Sequence, residues 1–145
     1  MLNIDNITNF AINTQLLEEI VKKHTKREID LIVCYNSTIQ EYNKMYRSKD
    51  VATDVLSFPI ENDNIIMNDI MPLGSIVISI DFVNAKALEL GHNNENEFTL
   101  LFIHGLLHLL GYDHEIDNEE MREKEEELII ELNLPKSLIV RTEES

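Results

Sequence analysis

One cysteine, three prolines, four glycines and no tryptophan are present among 145 residues, and each scarcity removes a class of protein. Cys34 has no partner for an internal disulfide, so this is not a disulfide-stapled secreted domain. So little Gly and Pro excludes a collagen-like repeat or a flexible linker. The longest apolar run, Phe98 to Leu110, is interrupted by His104 and His108 and falls short of the roughly 20 residues of a membrane-spanning helix. The opening segment MLNIDNIT carries neither the basic nor the apolar region of a signal peptide. With the lone thiol, this fits a reducing cytoplasm.

Positive charge is also scarce: 12 Lys and Arg stand against 27 Asp and Glu, a net charge of −15. Such a balance repels phosphates and argues against a nucleic-acid partner. Its distribution softens that argument, because seven of the 12 bases lie in the first 60 residues, whereas residues 113–131 hold ten acids and two bases. The chain is 43% hydrophobic and 27% charged, a composition and length suited to one well-filled core. With no repeat and no linker, residues 1–145 read as a single domain.

Hydrophobic periodicity supplies the elements. Leu2, Ile4 and Ile7 suggest a short first strand. Thr14 is placed to cap a helix carrying Leu16, Leu17, Ile20 and Val21 and ending in the basic group Lys22, Lys23, Lys26 and Arg27. Ile29, Leu31, Val33 and Tyr35 alternate as a strand. Ser37 and Gln40 have capping-box spacing for a helix through Tyr42, Met45 and Tyr46 that ends near Arg47. Val55 to Phe58 and Gly74 to Ile80 read as strands separated by a polar loop, the first stopped by Pro59. Asp81 is placed to cap a helix ending at Gly91. Glu97 to Leu110 is apolar on almost every side and so predicts a central helix ended by Gly111. Asp117 and Glu120 are then expected to cap a last, acidic helix with Met121, Leu128 and Leu132 turned inward. The order β-α-β-α-β-β-α-α-α gives an α+β class, a mixed sheet of about four strands with about five helices.

Chemistry concentrates in HGLLHLLGYDH, residues 104–114, which holds three of the five histidines. On a helix, positions i and i+4 share a face, so His104 and His108 can offer nitrogens to one ion. Gly111 lets the chain turn, and His114 can then return as a third ligand. Three neutral imidazoles leave one tetrahedral position open, the mark of a catalytic rather than a structural site. Zinc suits this set best, one ion per chain, although Ni, Co or Cu fits the same donors. The spacing equals that of the metzincin proteases, but the glutamate that follows their first histidine is here Gly105, which has no side chain to act as a base.

The same segment resembles the signature of the YbeY family of metal-dependent endoribonucleases. Two further blocks resemble that family's in order and spacing: RSKDVATDVLSFP at residues 47–59 and LGSIVIS at 73–79. The resemblance implies cleavage of single-stranded RNA, with a role in maturation of the 3′ end of small-subunit (16S) ribosomal RNA and in ribosome quality control. It implies as partners rRNA, the small ribosomal subunit and its assembly proteins, and no membrane. It assigns the metal to His104, His108 and His114, and makes Arg47 the functional arginine, whose guanidinium fork suits a phosphate. Lys44 and Lys49 would add non-specific attraction. Thr53, Asp54 and Ser57 are read as structural or as orienting a ligand. Asp113 and Glu115 flank His114 and are candidates for proton transfer. This chain departs from the family at Ser75, where an acid is usual, and at Ala52, where proline is common. The alternatives are a zinc metalloprotease-like hydrolase, or a ribosome-assembly binding module whose metal is structural.

Overall fold

Successive side chains of an extended strand point to opposite faces, so the Ile29, Leu31, Val33 series enters one core while Ile32 and Cys34 join another. The computed structural model describes residues 1–60, 71–112 and 114–134, with the backbone alone for 114–118. In chain order these form β1 (Leu2–Asn6), α1 (Thr14–His24), β2 (Ile29–Cys34), α2 (Asn36–Arg47), β3 (Val55–Pro59), β4 (Gly74–Ser79), α3 (Ile80–Leu90), α4 (Asn94–Leu109) and α5 (His114–Glu131). The class is α+β and the element order is the expected one. Most of the expected polar loop between β3 and β4, residues 61–70, lies outside the described residues.

The sheet runs β1-β2-β4-β3. Its first three members are parallel, which requires crossover helices, and β3 lies antiparallel at the outside with Ser57 opposite Ile76 and Phe58 opposite Ser75. One face packs on α4, whose Phe102, Ile103, Leu106 and Leu107 are fully enclosed with Ile76 and Ile78. The other face is covered by α2 through Ile39, over Cys34, Leu56 and Val77. Among the described residues no helix is long and apolar enough to cross a membrane.

The caps differ from expectation, and the reasons are local or long-range hydrogen bonds. Asn13, not Thr14, caps α1, accepting the Leu16 N–H at 3.2 Å; Arg27 lies beyond that helix and donates to the Met71 and Pro72 carbonyls. The Ser37–Gln40 box is unused. Instead, the Asn36 N–H donates to Asp81 Oδ2 at 2.8 Å and Asn36 Oδ1 accepts the Ser79 hydroxyl at 2.7 Å, so residues beside the start of α3 satisfy the start of α2. Gln40 reaches Asp50. Ser79, rather than Asp81, stands at the cap position of α3. Asn93 accepts the Asn96 N–H and starts α4 three residues before Glu97. The last helix opens at His114, ahead of Asp117, whose side chain is outside the described residues. Gly91 ends α3 with φ 73°, as expected.

Cys34 is buried, its thiol 3.6 Å from the Ile78 carbonyl, and burial pushes its pKa from 9.0 up to about 11. The native protein is therefore expected to resist maleimide at pH 8 and to react once unfolded in urea. Because the folded pKa lies above the unfolded one, the thiol's contribution to stability is complete below pH 9 and falls as pH rises toward 11. Denaturation curves of wild type and Cys34→Ala across that window check the slope.

Candidate active site

Between Glu97 and Leu109 every residue of α4 is buried except His104 and His108. They are one turn apart on the same face, and their Nε2 atoms stand 3.1 Å from each other, with the rings edge to face. His104 Nδ1 lies 2.8 Å from Glu125 Oε1, and Glu125 is 3% exposed. A buried carboxylate accepts the Nδ1–H, which fixes the tautomer and leaves the lone pair of His104 on Nε2, directed at the same space as His108 Nε2.

This donor set fits a zinc ion. Two nitrogens each 2.0–2.1 Å from a tetrahedral zinc stand about 3.3 Å apart, close to the observed separation. The carboxylate behind His104 is the support such a ligand ordinarily has. His114 is described only as the first residue of α5; its side chain, that of Glu115, and Asp113 lie outside the described residues. Among the described residues no group of three His, Cys, Asp or Glu converges to hold an ion. The turn that leads to His114 is made at Gly111, with φ 102°, and Tyr112 packs against the main core beside it.

Gly105 faces the sheet. A Cβ there would stand 2.9 Å from Ile76 Cγ2 and 3.2 Å from Ser57 Oγ, so the glycine is what lets α4 lie this close to β3 and β4. Ser57, buried, donates from its hydroxyl to the Gly105 carbonyl at 3.2 Å. A protease's glutamate at this position would point into the sheet rather than toward the imidazoles, which is the physical case against the protease alternative.

Arg47, the last residue of α2, reaches over β3. Its Nη2 donates to the Ser57 carbonyl at 3.0 Å and its Cζ lies 5.7 Å from the centroid of the Phe58 ring. Ser57 thus joins the two halves of the site, taking the guanidinium on its carbonyl and bonding the helix beside His104 through its hydroxyl. Asp54 accepts the Val55 N–H at 2.8 Å and the Thr53 hydroxyl at 3.3 Å, bonds that shape the turn into β3. Lys44 pairs at 3.9 Å with Asp50 in an exposed contact that adds little. Ser75 sits opposite Phe58 across β3 and β4.

Glu125 is the residue that sequence reasoning missed, because the acidic stretch around it reads as a solvated face. The signal was its register: it falls on the inward stripe with Met121 and Leu128, both buried.

A mixed-sheet α+β domain that presents paired imidazoles from a buried helix, with a guanidinium held at the neighbouring strand, carries groups that a hydrolase uses. The particular family follows from comparison, since the model of the family described as Endoribonuclease YbeY matches residues 2–133, and the chain belongs to that family. It is 58% identical over 141 residues to the Endoribonuclease YbeY of Aliarcobacter butzleri, covering 97% of this chain and 99% of that one. It is 53% identical to the protein of that name from Nautilia profundicola, covering 99% of this chain and all of that one. The solution structure of TM1509 from Thermotoga maritima superposes with a TM-score of 0.59 at 31% identity, covering 88% of this chain and 85% of that one.

Proposed function

We propose that residues 1–145 form a single metal-dependent endoribonuclease domain that cuts single-stranded RNA, with zinc held by His104, His108 and His114. The observation that carries this reading is the 3.1 Å approach of the two Nε2 atoms, backed by the Glu125 carboxylate, in a member of this family. When bound, zinc would supply Lewis acidity toward a phosphoryl oxygen. The chain's own residues supply the rest. Glu125 keeps the His104 proton on Nδ1, and Arg47, steadied by the Ser57 carbonyl, offers its remaining N–H groups to a phosphate and to the charge that develops there. The substrate is rRNA, at the 3′ end of 16S rRNA, in the cytoplasm, and the partners are the small ribosomal subunit and its assembly proteins. With a net charge of −15, affinity for free RNA is low, and a ribosomal partner would supply what the chain repels.

The test incubates identically purified wild type and Arg47→Ala with one labelled single-stranded RNA, with and without chelator. Wild type is expected to cut, chelator to stop it, and Arg47→Ala to be slower by about 10²-fold. Equal cutting by both proteins would expose a contaminating nuclease. No cutting by either, with metal and folding intact, would favour the binding module.

A further inference from the structure

Of the chain's four tyrosines and five phenylalanines, three meet on the surface beside Arg47. Tyr46 is 62% exposed, yet its ring lies 5.3 Å from that of Phe58 and 6.1 Å from that of Tyr42, the two tyrosines stacked within 21° of parallel. Phe58 in turn lies under the Arg47 guanidinium. A large ring left in water costs hydrophobic stabilisation, and here neighbouring rings hold it in place without covering it. Between residues 41 and 50 the chain holds Lys44, Arg47 and Lys49 against Glu41 and Asp50, a small local excess of positive charge in a sequence that is otherwise strongly acidic. The uncharged Ser75 lies opposite Phe58 on the same sheet face.

We infer that Tyr46, held by Tyr42 and Phe58, is a stacking seat for one base of single-stranded RNA, the nucleotide next to the phosphate gripped by Arg47. An unpaired base offers an apolar π-face and its backbone a negative charge, which matches a ring beside a guanidinium. Duplex RNA keeps its bases stacked inside and has none to offer, so this seat also selects for single strands. The inference rests on the ribonuclease reading and adds to it a base-binding residue.

The test measures binding of a fluorescent 2′-O-methylated RNA octamer, recovered uncut, and of an octamer of the same backbone without bases. Wild type is expected to prefer the base-bearing octamer by about tenfold. Tyr46→Ala should bind both alike, with its melting temperature and the salt dependence of binding unchanged, because no phosphate contact is lost. Tyr46→Phe should keep the preference. Tyr46→Trp introduces the chain's only tryptophan, whose emission should be quenched by the base-bearing octamer and not by the other. If wild type prefers bases and Tyr46→Ala retains that preference, the seat is refuted and the rings are better explained by a protein partner. If wild type binds both octamers equally, the seat is refuted while RNA binding stands. If wild type binds neither, the seat is refuted, while the ribonuclease reading, which assigns affinity to a ribosomal partner, stands or falls on the cleavage assay.

Discussion

Glutamate at position 105 is expected to unfold this protein rather than equip it with a protease's base. The added side chain would start 2.9 Å from the Cγ2 methyl of Ile76, inside the core. Overpacking there costs about 1–3 kcal/mol. Its carboxyl group would be carried toward β3 and β4, where burial costs several kcal/mol more even after protonation. Together these approach the roughly 5–15 kcal/mol that holds a domain of this kind folded. A loss of about 4 kcal/mol or more in urea denaturation is expected for Gly105→Glu. Gly105→Ala, which gains about 1 kcal/mol of helix propensity against the same overpacking, should lose only about 1 kcal/mol. A Gly105→Glu protein that melts like wild type would show that α4 does not lie on the sheet through this glycine.

Removing the carboxylate behind His104 should weaken metal retention without unfolding the chain. Glu125→Gln keeps the size of the side chain and can still accept a hydrogen bond through its amide oxygen. It loses the charge that makes the imidazole a better donor and holds its ring in place, and such changes typically cost 10–100-fold in metal affinity. Competition with a chromogenic chelator measures this directly, independently of RNA cleavage. His108→Ala, which removes one of the two converging imidazoles at a partly exposed position, should bring to purification little or no zinc while remaining folded. Zinc held by Glu125→Gln as tightly as by wild type would mean that the 2.8 Å contact serves packing alone.

Elements set by their own periodicity were legible in the sequence, including the four strands and the buried α4. What was not legible depended on residues far apart in the chain. The capping box at Ser37 satisfies every local rule, yet Ser79 and Asp81, more than 40 residues on, take over the start of α2. The histidine spacing at 104 and 108 was visible because a helix repeats every 3.6 residues and needs no partner to do so. Gly105 was visible as a missing base, but its reason, the closeness of Ile76 and Ser57, exists only once β3 and β4 are side by side. Glu125 was hidden among like charges, and only its place on an inward stripe 21 residues from His104 separates it from its neighbours.

The guanidinium of Arg47 also bears on the edge of the sheet. Among the described residues β3 is the outermost strand on its side of the sheet, and the backbone groups of such an edge are a template onto which another molecule's strand can add. Arg47 occupies the Ser57 carbonyl at the middle of that strand, and Pro59 at its end has no N–H to offer. One side chain therefore also masks an acceptor at the middle of β3, and losing it would free that carbonyl to pair with a strand of another chain.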